Sequence, residues 1–446
     1  MTEAWVSSTL YRGMETIAQG RPPEDMIYLM QRICGFCPVS HAMASALALQ
    51  DAAPVEVPKN GQLLRNMMHA ADYLMDHIRH FYFLLFPDFV RLPEVPPFVP
   101  YPTGDYRLPK RENDLLVQHY LDALDIQRRS ETMVAVFGGK SPHVHGIFPG
   151  GASLAPTADR VLRFRAHAQE LLEFIESHLI PDLEIIARYY SDYRRIGRGH
   201  GNLISYGLYQ MSHRAEDRVF RPGVVLDGRV EPLDLSTLRS GIEEDITHSW
   251  FQQADEVKRP LDFANLPARK KEGAYTWVKA PRYRGRAMET GPLARLWVMG
   301  EYREGVSMLD RVIARVLETK KMAELCIQWS MDLEPGRPHI TPWSPPREAE
   351  GAGLVDAVRG ALGHWIRIEN HKVARYQVVT PTTWNNSPRD ARGQRGAMEE
   401  ALIGTPVEDP ERPIEVVRVI HSFDPCNACA VQVITPDRPL LRFRVL

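Results

Sequence analysis

The sequence has no surplus of either charge. Its 54 Lys and Arg residues nearly balance 56 Asp and Glu residues, which leaves a net charge of −2 over 446 residues. Proteins that bind nucleic acid or an anionic membrane surface usually carry a basic excess. We therefore expect neither nucleic acid nor a lipid surface as a partner.

Long apolar runs are also missing. The most apolar stretch, near residues 80–90, is far shorter than the roughly 20 residues that a membrane-spanning helix needs. The first residues do not form a charged segment followed by an apolar one, which is the pattern of a signal peptide. We expect no membrane span and no signal peptide in this chain.

Cysteine is scarce, since the chain has only five. Four of them form two C-x-x-C pairs near opposite ends, Cys34 with Cys37 and Cys426 with Cys429. So few cysteines do not resemble the disulfide framework of a secreted protein. Four thiolates at one centre suit zinc, an iron–sulfur cluster or nickel.

Apolar residues recur at helical spacing through most of the chain, whereas strand-like segments are short. No repeat, low-complexity tract or clear linker interrupts the pattern. We therefore predict one helix-rich domain, 1–446, with small β elements. The predicted helices open at Pro22–Asp25 and at Pro38, or span about 60–86, 112–137, 157–193 (interrupted at Pro181) and 304–332; the predicted strands are 203–208, 224–226 and a hairpin over 365–379.

Each cysteine pair is predicted to lie at the start of a helix. Pro38 directly follows Cys37 and suits a first helical position, which places Cys37 at or near the N-cap. Asp424 and Pro425 resemble an N-cap and a first helical residue, which would place the second pair in the first turn. The positive end of a helix lowers the pKa of a thiol and favours the thiolate.

Spacing alone leaves a structural zinc site open, although zinc-binding pairs usually lie closer together in sequence. A thioredoxin-like dithiol is less favoured because neither pair follows a strand in a βαβ pattern. The residues around the pairs must decide between the metals, and they favour nickel and iron.

These surrounding residues resemble the two active-site motifs of nickel–iron hydrogenase large subunits. Further segments look like the same family, in the family's order, so the resemblance covers nearly the whole chain. The two motifs are 32–41 (RICGFCPVSH) and 422–429 (SFDPCNAC), and the other segments are 11–15, 76–82, 137–143, 279–285, 359–365 and 381–385.

The resemblance implies the large-subunit fold, mainly α with small β elements around a helix-bundle core. It also implies a catalytic subunit that reversibly cleaves H2 into protons and electrons. The chain has no cysteines left for iron–sulfur clusters, so the electrons would pass to an iron–sulfur small subunit. Because that subunit often carries the export signal in the family, the location stays open: cytoplasmic, or exported and membrane-associated through the small subunit.

By resemblance, the four cysteines would hold a Ni–Fe centre whose iron also carries carbon monoxide and cyanide. Cys34 and Cys426 would be terminal nickel ligands, whereas Cys37 and Cys429 would bridge nickel and iron. Four thiolates make an electron-rich, soft site. Heterolytic cleavage of H2 also needs a base nearby.

The candidate catalytic residues are Arg359, Asp76 and Asp424. Arg359 would lie above the metals, with both carboxylates steering its guanidinium, because a buried arginine needs carboxylate partners. It would position H2 or accept its proton, although its high pKa makes it a reluctant base. Without the cysteines, Arg359 and Asp76 would be interpreted as an ordinary structural ion pair.

Three further residues are candidates for contacts to the centre. Thr382 or Thr383 would donate a hydrogen bond to a cyanide nitrogen, which is a usual role for residues around a metal site. His41 would tune a nearby thiolate by a hydrogen bond, and a packing role is the alternative.

The sequence also departs from the family pattern. The family usually has an Arg-x-Glu-Gly-His stretch upstream of the segment that matches 11–15, and this sequence begins after it. Gln432 stands where the family has a histidine that, with a glutamate matching Glu15, helps to hold Mg²⁺ and marks a processing site. We expect Glu15 and Gln432 at such a Mg²⁺ site, and 433–446 to resemble an unprocessed tail.

These departures keep two alternatives open. One is a regulatory H2-sensing subunit with slow turnover, and the other is a catalytically incomplete or unprocessed large-subunit homologue.

Overall fold

The computed structural model describes residues 1–9, 11–95, 105–212 and 217–426, together with the backbone of 430–433 and 441–444. Cys429 therefore lies outside the described residues, and so does the side chain of Gln432. None of the helices in these ranges combines the length and apolar composition that crossing a bilayer requires.

Helices dominate the described chain, which confirms the predicted mainly α fold. The predicted starts near 22–25 and at 38 are also confirmed. The helices are α1 Met14–Ala18, α2 Met26–Leu29, α3 Pro38–Ala52, α4 Lys59–Arg79, α5 Lys110–Gly138, α6 Ala158–Phe174, α7 Ile180–Tyr189, α8 Leu235–Gly241, α9 Pro292–Met299, α10 Met308–Asp332, α11 Pro381–Asn385, α12 Ala397–Leu402 and α13 Ile414–Phe423.

Most strands are short, and the described strands form small antiparallel sheets of two or three strands. They are β1 Ile147–Phe148, β2 Gly151–Ala152, β3 Leu203–Ser205, β4 Leu208–Gln210, β5 Arg218–Phe220, β6 Gly223–Leu226, β7 Arg229–Pro232, β8 Ile242–Asp245, β9 Phe251–Gln252, β10 Val257–Lys258, β11 Leu266–Pro267, β12 Ala280–Tyr283, β13 Ala349–Ala357, β14 Gly360–Glu369, β15 Lys372–Val379, β16 Ala430–Val433 and β17 Leu441–Arg444.

Four long helices form the core of the fold. Helix α4 packs against α5 and α10, and α6 packs against the other sides of α5 and α10, which closes a bundle. Residues 60–78 of α4 are buried on every side, including their polar members. A helix that is buried all round must satisfy its polar groups inside the protein, so α4 is the element on which buried polar contacts concentrate.

The largest sheet, β13-β14-β15, lies against α3. Two glycines of β13 make this contact close: a Cβ on Gly351 would lie 2.1 Å from the carbonyl oxygen of Ala48, and one on Gly353 would lie 1.9 Å from that of Ala44. Because the two backbones touch directly, the sheet fixes the position of α3 and of the Cys37 end of that helix.

Several predicted elements differ from the structure. The chain does not break before Pro181, because a wide π-helical segment at Ile175–Leu179 carries α6 into α7 and accommodates the proline. The strand predicted at 203–208 is two strands, β3 and β4, separated by Gly207 at φ 76°. The hairpin predicted at 365–379 begins earlier, at Gly360, and has β13 as a third strand.

The prediction that a helix begins at Asp424 and Pro425 is wrong. Helix α13 ends at Phe423, and Asp424 is the residue that terminates it, in the left-handed region at φ 53° and ψ 59°. Asp-Pro is a frequent helix start, but aspartate also tolerates the left-handed conformation, and here this second property prevails.

Candidate metal centre

The first cysteine pair lies in the turn that leads into α3. A short 3₁₀ segment ends at Ile33, Cys34 is extended, and Cys37 is the N-cap residue of α3, as predicted. Both cysteines are 4% exposed, whereas Phe36 between them is 45% exposed. The pair therefore presents its sulfurs inward while the turn itself reaches the surface.

The structure brings the two ends of the chain together at these sulfurs. Cys34 Sγ lies 3.0 Å from Cys426 Sγ, although the two residues are 392 positions apart. The sulfurs of Cys34, Cys37 and Cys426 all lie within 4.8 Å of one another. Three of the four predicted ligands thus meet, and the fourth, Cys429, lies outside the described residues.

Hydrogen bonds make Cys34 the most acidic of the three thiols. Hydrogen bonds from Cys37 and Cys426 hold the pKa of Cys34 well below its ordinary value, against the opposing effect of burial. The backbone N–H groups of Phe36 and Cys37 also lie at 3.3 and 3.4 Å from its sulfur. The pKa values of Cys37 and Cys426 are raised well above normal, chiefly because each shares a hydrogen bond with the Cys34 sulfur.

This donor set fits a soft metal. Among the described residues, these cysteines are the only group of three or more Cys, His, Asp or Glu side chains arranged to hold a metal ion. A bound metal would replace the shared protons, since thiols bind metals as thiolates.

A buried arginine lies beside the sulfurs. Arg359 follows β13, and its Nη1 and Nη2 donate to the carboxylate of Asp76, on α4, at 2.6 and 3.2 Å. Its Nη2 also lies 2.9 Å from Oδ1 of Asp424. The structure therefore brings together all three predicted catalytic candidates, each at most 5% exposed.

The carboxylates keep Arg359 charged. Burial acts to lower the pKa of Arg359, but Asp424 and Asp76 outweigh burial and raise the pKa well above its ordinary value. Cys426 and Cys37 act in the same direction, so the guanidinium lies within electrostatic range of the sulfur cluster. An arginine in this setting is a fixed positive charge and hydrogen-bond donor.

Only one of the two candidate threonines contacts the site. Thr382 Oγ1 accepts a hydrogen bond of 3.1 Å from the backbone N–H of Cys426. Thr383 is instead engaged with Thr380 in the capping box that starts α11, with 2.9 Å between the hydroxyl oxygens. Helix α11 thus supports the second cysteine segment through Thr382.

His41 lies one turn into α3 and faces the sheet. Its Nδ1 is hydrogen-bonded to Nε2 of His364, on β14, at 3.0 Å, and His364 Nδ1 is 2.7 Å from the hydroxyl of Tyr376. Burial lowers the pKa of His41 to about 4, although the Cys34 thiolate opposes this shift. The neutral ring therefore connects the start of α3 to the sheet.

The structure describes only one of the two side chains of the expected Mg²⁺ site, that of Glu15. Glu15, on α1, has its pKa raised by burial, with Lys279 opposing the rise. Lys279 donates to Glu244 at 3.0 Å, and burial, with a smaller effect of Glu15, raises the pKa of Glu244. Gln432 belongs to β16, but its side chain lies outside the described residues.

Sequence reasoning missed a second layer of buried charges. Arg315, on α10, donates to Asp424 at 3.1 Å, and Glu318 of the same helix contacts His77 at 2.8 Å. The available signal was charge at the spacing of a buried helix face, because these residues alternate with Val312, Val316 and Met322. Asp72 was also missed; neither carboxylate oxygen has a hydrogen-bond partner in the described structure.

Comparison with known proteins agrees with this geometry. The family model described as nickel-dependent hydrogenase matches residues 12–100 and 100–432. The periplasmic [NiFeSe] hydrogenase large subunit of Desulfomicrobium baculatum is 36% identical over 97% of this chain and 90% of its own length. The hydrogenase-2 large chain of Escherichia coli K12 is 30% identical over 98% of this chain and 94% of its own length.

Solved structures show the same fold. The reduced, active Ni-Fe-Se hydrogenase from Desulfomicrobium baculatum aligns with a TM-score of 0.91 and 36% identity, over 95% of this chain and 93% of the other. Family model, relatives and structures agree along nearly the whole chain. The chain therefore belongs to the nickel-dependent hydrogenases, as the large, catalytic subunit.

Proposed function

We propose that Cys34, Cys37, Cys426 and Cys429 hold a Ni–Fe centre whose iron also carries carbon monoxide and cyanide. At this centre the chain cleaves H2 heterolytically. The observation that carries the proposal is the meeting of three sulfurs from both ends of the chain beside the Arg359 guanidinium. When bound, the metals supply the electron-rich acceptor that H2 cleavage needs.

The proposed ligand set is entirely sulfur. Two of the relatives cited above are named for nickel, iron and selenium. The present sequence has cysteine at all four motif positions and contains no selenocysteine. Four thiolates also suit zinc, so the preference for nickel and iron over the structural zinc alternative rests on membership of the nickel-dependent hydrogenase family.

In this proposal Arg359 positions the substrate and does not accept its proton. Its pKa is raised well above an already high ordinary value, so the guanidinium does not release a proton to become a base. The proton would go to one of the cysteine sulfurs, because the carboxylates of Asp76 and Asp424 are engaged with the guanidinium. Asp76 and Asp424 hold the guanidinium in a fixed direction through three short contacts.

The remaining candidates support the centre in this proposal. Thr382, whose oxygen accepts from Cys426 N–H, would donate its hydroxyl hydrogen to a cyanide nitrogen. His41 holds the start of α3 in place, and Glu15 with Gln432 contributes oxygen ligands to Mg²⁺. Thr383 is not included, since its hydroxyl caps α11.

Electrons released at the centre need a carrier outside this chain. The fifth cysteine, Cys326, is fully buried within α10, and burial raises its pKa, so it is an inert apolar thiol. We therefore propose an iron–sulfur small subunit as the partner. The exposed Phe36, between Cys34 and Cys37, would let such a subunit dock next to the sulfurs.

The test is metal analysis with an infrared spectrum and H2-dependent dye reduction on the purified complex. We expect about one nickel per chain, bands from iron-bound carbon monoxide and cyanide, and H2 oxidation. Cys426→Ala should lose nickel, whereas the matched variant Cys326→Ala should keep it. Nickel retained in Cys426→Ala, or zinc found in place of nickel, would refute the proposed centre.

A further inference from the structure

A line of buried charges leads from Arg359 into the helix bundle. Arg315, on α10, is 2% exposed, and its Nη1 donates to Oδ2 of Asp424 at 3.1 Å. The other oxygen of Asp424 lies 2.9 Å from Nη2 of Arg359. One carboxylate therefore joins two guanidinium groups, and the position of each depends on the other.

His77 contacts the same nitrogen of Arg315 that donates to Asp424. Arg315 Nη1 lies 3.2 Å from His77 Nδ1, and because a guanidinium only donates, Nδ1 must accept. The ring proton is then on Nε2, which donates to Glu318 at 2.8 Å. Burial lowers the pKa of His77, in agreement with this neutral ring. Glu318 is fixed in turn by two short bonds from Arg295, of 2.6 and 2.7 Å.

Asp424 links this line of charges to the second cysteine segment. It is a non-glycine residue in the left-handed region, at the end of α13 and two positions before Cys426. Aspartate tolerates this backbone conformation, which leaves the direction of its carboxylate to side-chain contacts. The two guanidinium contacts are the described side-chain interactions that fix the direction of its carboxylate.

We propose that Arg315 is a positioning residue for H2 cleavage: by holding Asp424, it sets the direction in which Asp424 presents Arg359 to the sulfur cluster. The inference rests on the proposed function, because it assigns Arg315 an effect through Arg359. It goes beyond that proposal by extending the machinery from the sulfur site to the inside of the bundle.

The expected effect follows from side-chain shape. Lysine keeps the charge in Arg315→Lys, but its shorter side chain does not carry the ammonium group to the position of Nη1, the single nitrogen that contacts both Asp424 and His77. Asp424 then turns, and Arg359 loses one of its two carboxylates. Because small displacements of positioned groups cost up to about 100-fold in rate, we expect kcat for H2 to fall by about 10- to 100-fold. Nickel content should not change.

The experiment compares Arg315→Lys, Arg359→Lys and the double variant, each in the complete nickel-loaded complex. Arg65→Lys is the matched control, since Arg65 is also fully buried but contacts Gln62 and backbone carbonyl groups instead of Asp424. The measurements are nickel per chain, kcat and KM for H2 with an artificial dye, and a crystal structure of Arg315→Lys.

We expect Asp424 and Arg359 to separate beyond about 4 Å in that crystal structure, the usual limit of an ion pair. We also expect the double variant to be no slower than Arg359→Lys alone, because Arg315 acts through Arg359. Multiplied losses, an unchanged Asp424–Arg359 distance, or nickel lost from Arg315→Lys but not from Arg65→Lys would each overturn the inference. An inactive wild-type complex would instead refute the proposed function, while the distance would still decide the role of Arg315.

Discussion

At the scale of single residues, the permanent positive charge of the site and its titratable protons are on different side chains. Arg359 is surrounded by two carboxylates that raise its pKa, so its charge is permanent. Cys34 is the acidic sulfur of the cluster, whereas Cys37 and Cys426 keep their protons. Fixed charge and exchangeable protons therefore reside on different groups a few ångströms apart.

Arg359→Lys tests the fixed charge directly. We expect the variant to keep its nickel, because Arg359 donates to carboxylates and not to the metal ligands. Activity with H2 should fall by about 100-fold or more, since one ammonium group replaces a fork that contacts Asp76 and Asp424 together. Nickel analysis and dye reduction would measure both effects, and normal turnover would contradict the assigned role.

Asp72 predicts a pH dependence of stability. Burial, followed by the charges of Asp76 and Cys34, raises its pKa well above the ordinary value, so the folded protein keeps this carboxyl protonated. The unfolded chain releases that proton above about pH 4. The folded state then binds more protons, and the free energy of unfolding falls as the pH rises from about 4 toward the folded pKa.

Asp72→Asn should remove this loss, because asparagine resembles the protonated acid in shape and charge. We expect a higher denaturation midpoint than wild type at pH 7 and a flatter dependence between about pH 4 and 7. Thermal denaturation of the complex at several pH values measures this pH dependence. Asp114→Asn, which removes only a surface ion pair with Lys110, is the control. Identical pH profiles for wild type and Asp72→Asn would show that Asp72 is ionised when folded.

At the scale of elements, the sheet β13-β14-β15 is the support of the cysteine turn. Gly351 and Gly353 let β13 approach the backbone of α3, and His364 of β14 is bonded to His41 near the start of that helix. The contacts at His41 and Ala44 lie in the first two turns of α3, and the contact at Ala48 lies further along the same helix. A displacement of α3 therefore moves the sulfur of Cys37 as well.

Gly353→Ala should show this coupling. The added Cβ would lie 1.9 Å from the Ala44 carbonyl oxygen and 2.6 Å from the Ala48 nitrogen, and backbone atoms cannot swing aside. Overpacking of this kind costs about 1–3 kcal/mol or more. We expect a lower denaturation midpoint together with reduced nickel content. Gly241→Ala, whose Cβ would meet nothing within 4 Å, should leave the denaturation midpoint and the nickel content unchanged. Full nickel content in Gly353→Ala would show that the sheet does not control the position of the metal ligands.

The sequence predicted the long helices because their apolar residues follow the helical period over many turns. It missed β13, whose sequence AEGAGLVDA is rich in small residues and lacks the alternation of a typical strand. The predicted helix at Asp424 failed because only the packing of α13 decides which of two local conformations Asp-Pro adopts. Tertiary contacts, which no local sequence pattern shows, determine these conformations.

The candidate site was only partly predicted from the sequence, again because a sequence does not show tertiary contacts. Motifs indicated Arg359, Asp76 and Asp424 as a group, and the structure brings them within hydrogen-bond distance, while their roles stay predictions. Arg315 and Glu318 were not predicted, because their spacing on the helix face does not identify their partners, Asp424 and His77, which lie far away in sequence.

At the scale of the whole molecule, a bound metal would tie the two ends of the fold together. Cys34 and Cys426 are 392 residues apart, so the centre acts as a cross-link that closes a very long loop. The chain-entropy relation for cross-links gives about 6 kcal/mol for a loop of this length. Removing the nickel should therefore lower the denaturation midpoint of the complex substantially.

Thermal denaturation of nickel-loaded and nickel-depleted protein measures this effect. Cys326→Ala should show the same metal-dependent shift as wild type, because its side chain lies within α10 and away from the sulfurs. Cys426→Ala should show no such shift. Equal midpoints with and without nickel in wild type would mean that the metal does not join the chain ends.

The long separation between the ligands also imposes an order on biosynthesis. While a ribosome is still making the middle of the chain, only the Cys34–Cys37 turn exists, and it offers two sulfurs at most. The proposed ligand set cannot assemble before the second cysteine pair has been synthesised, so closure of the centre must follow the synthesis of the chain between Cys34 and Cys426, which are 392 positions apart.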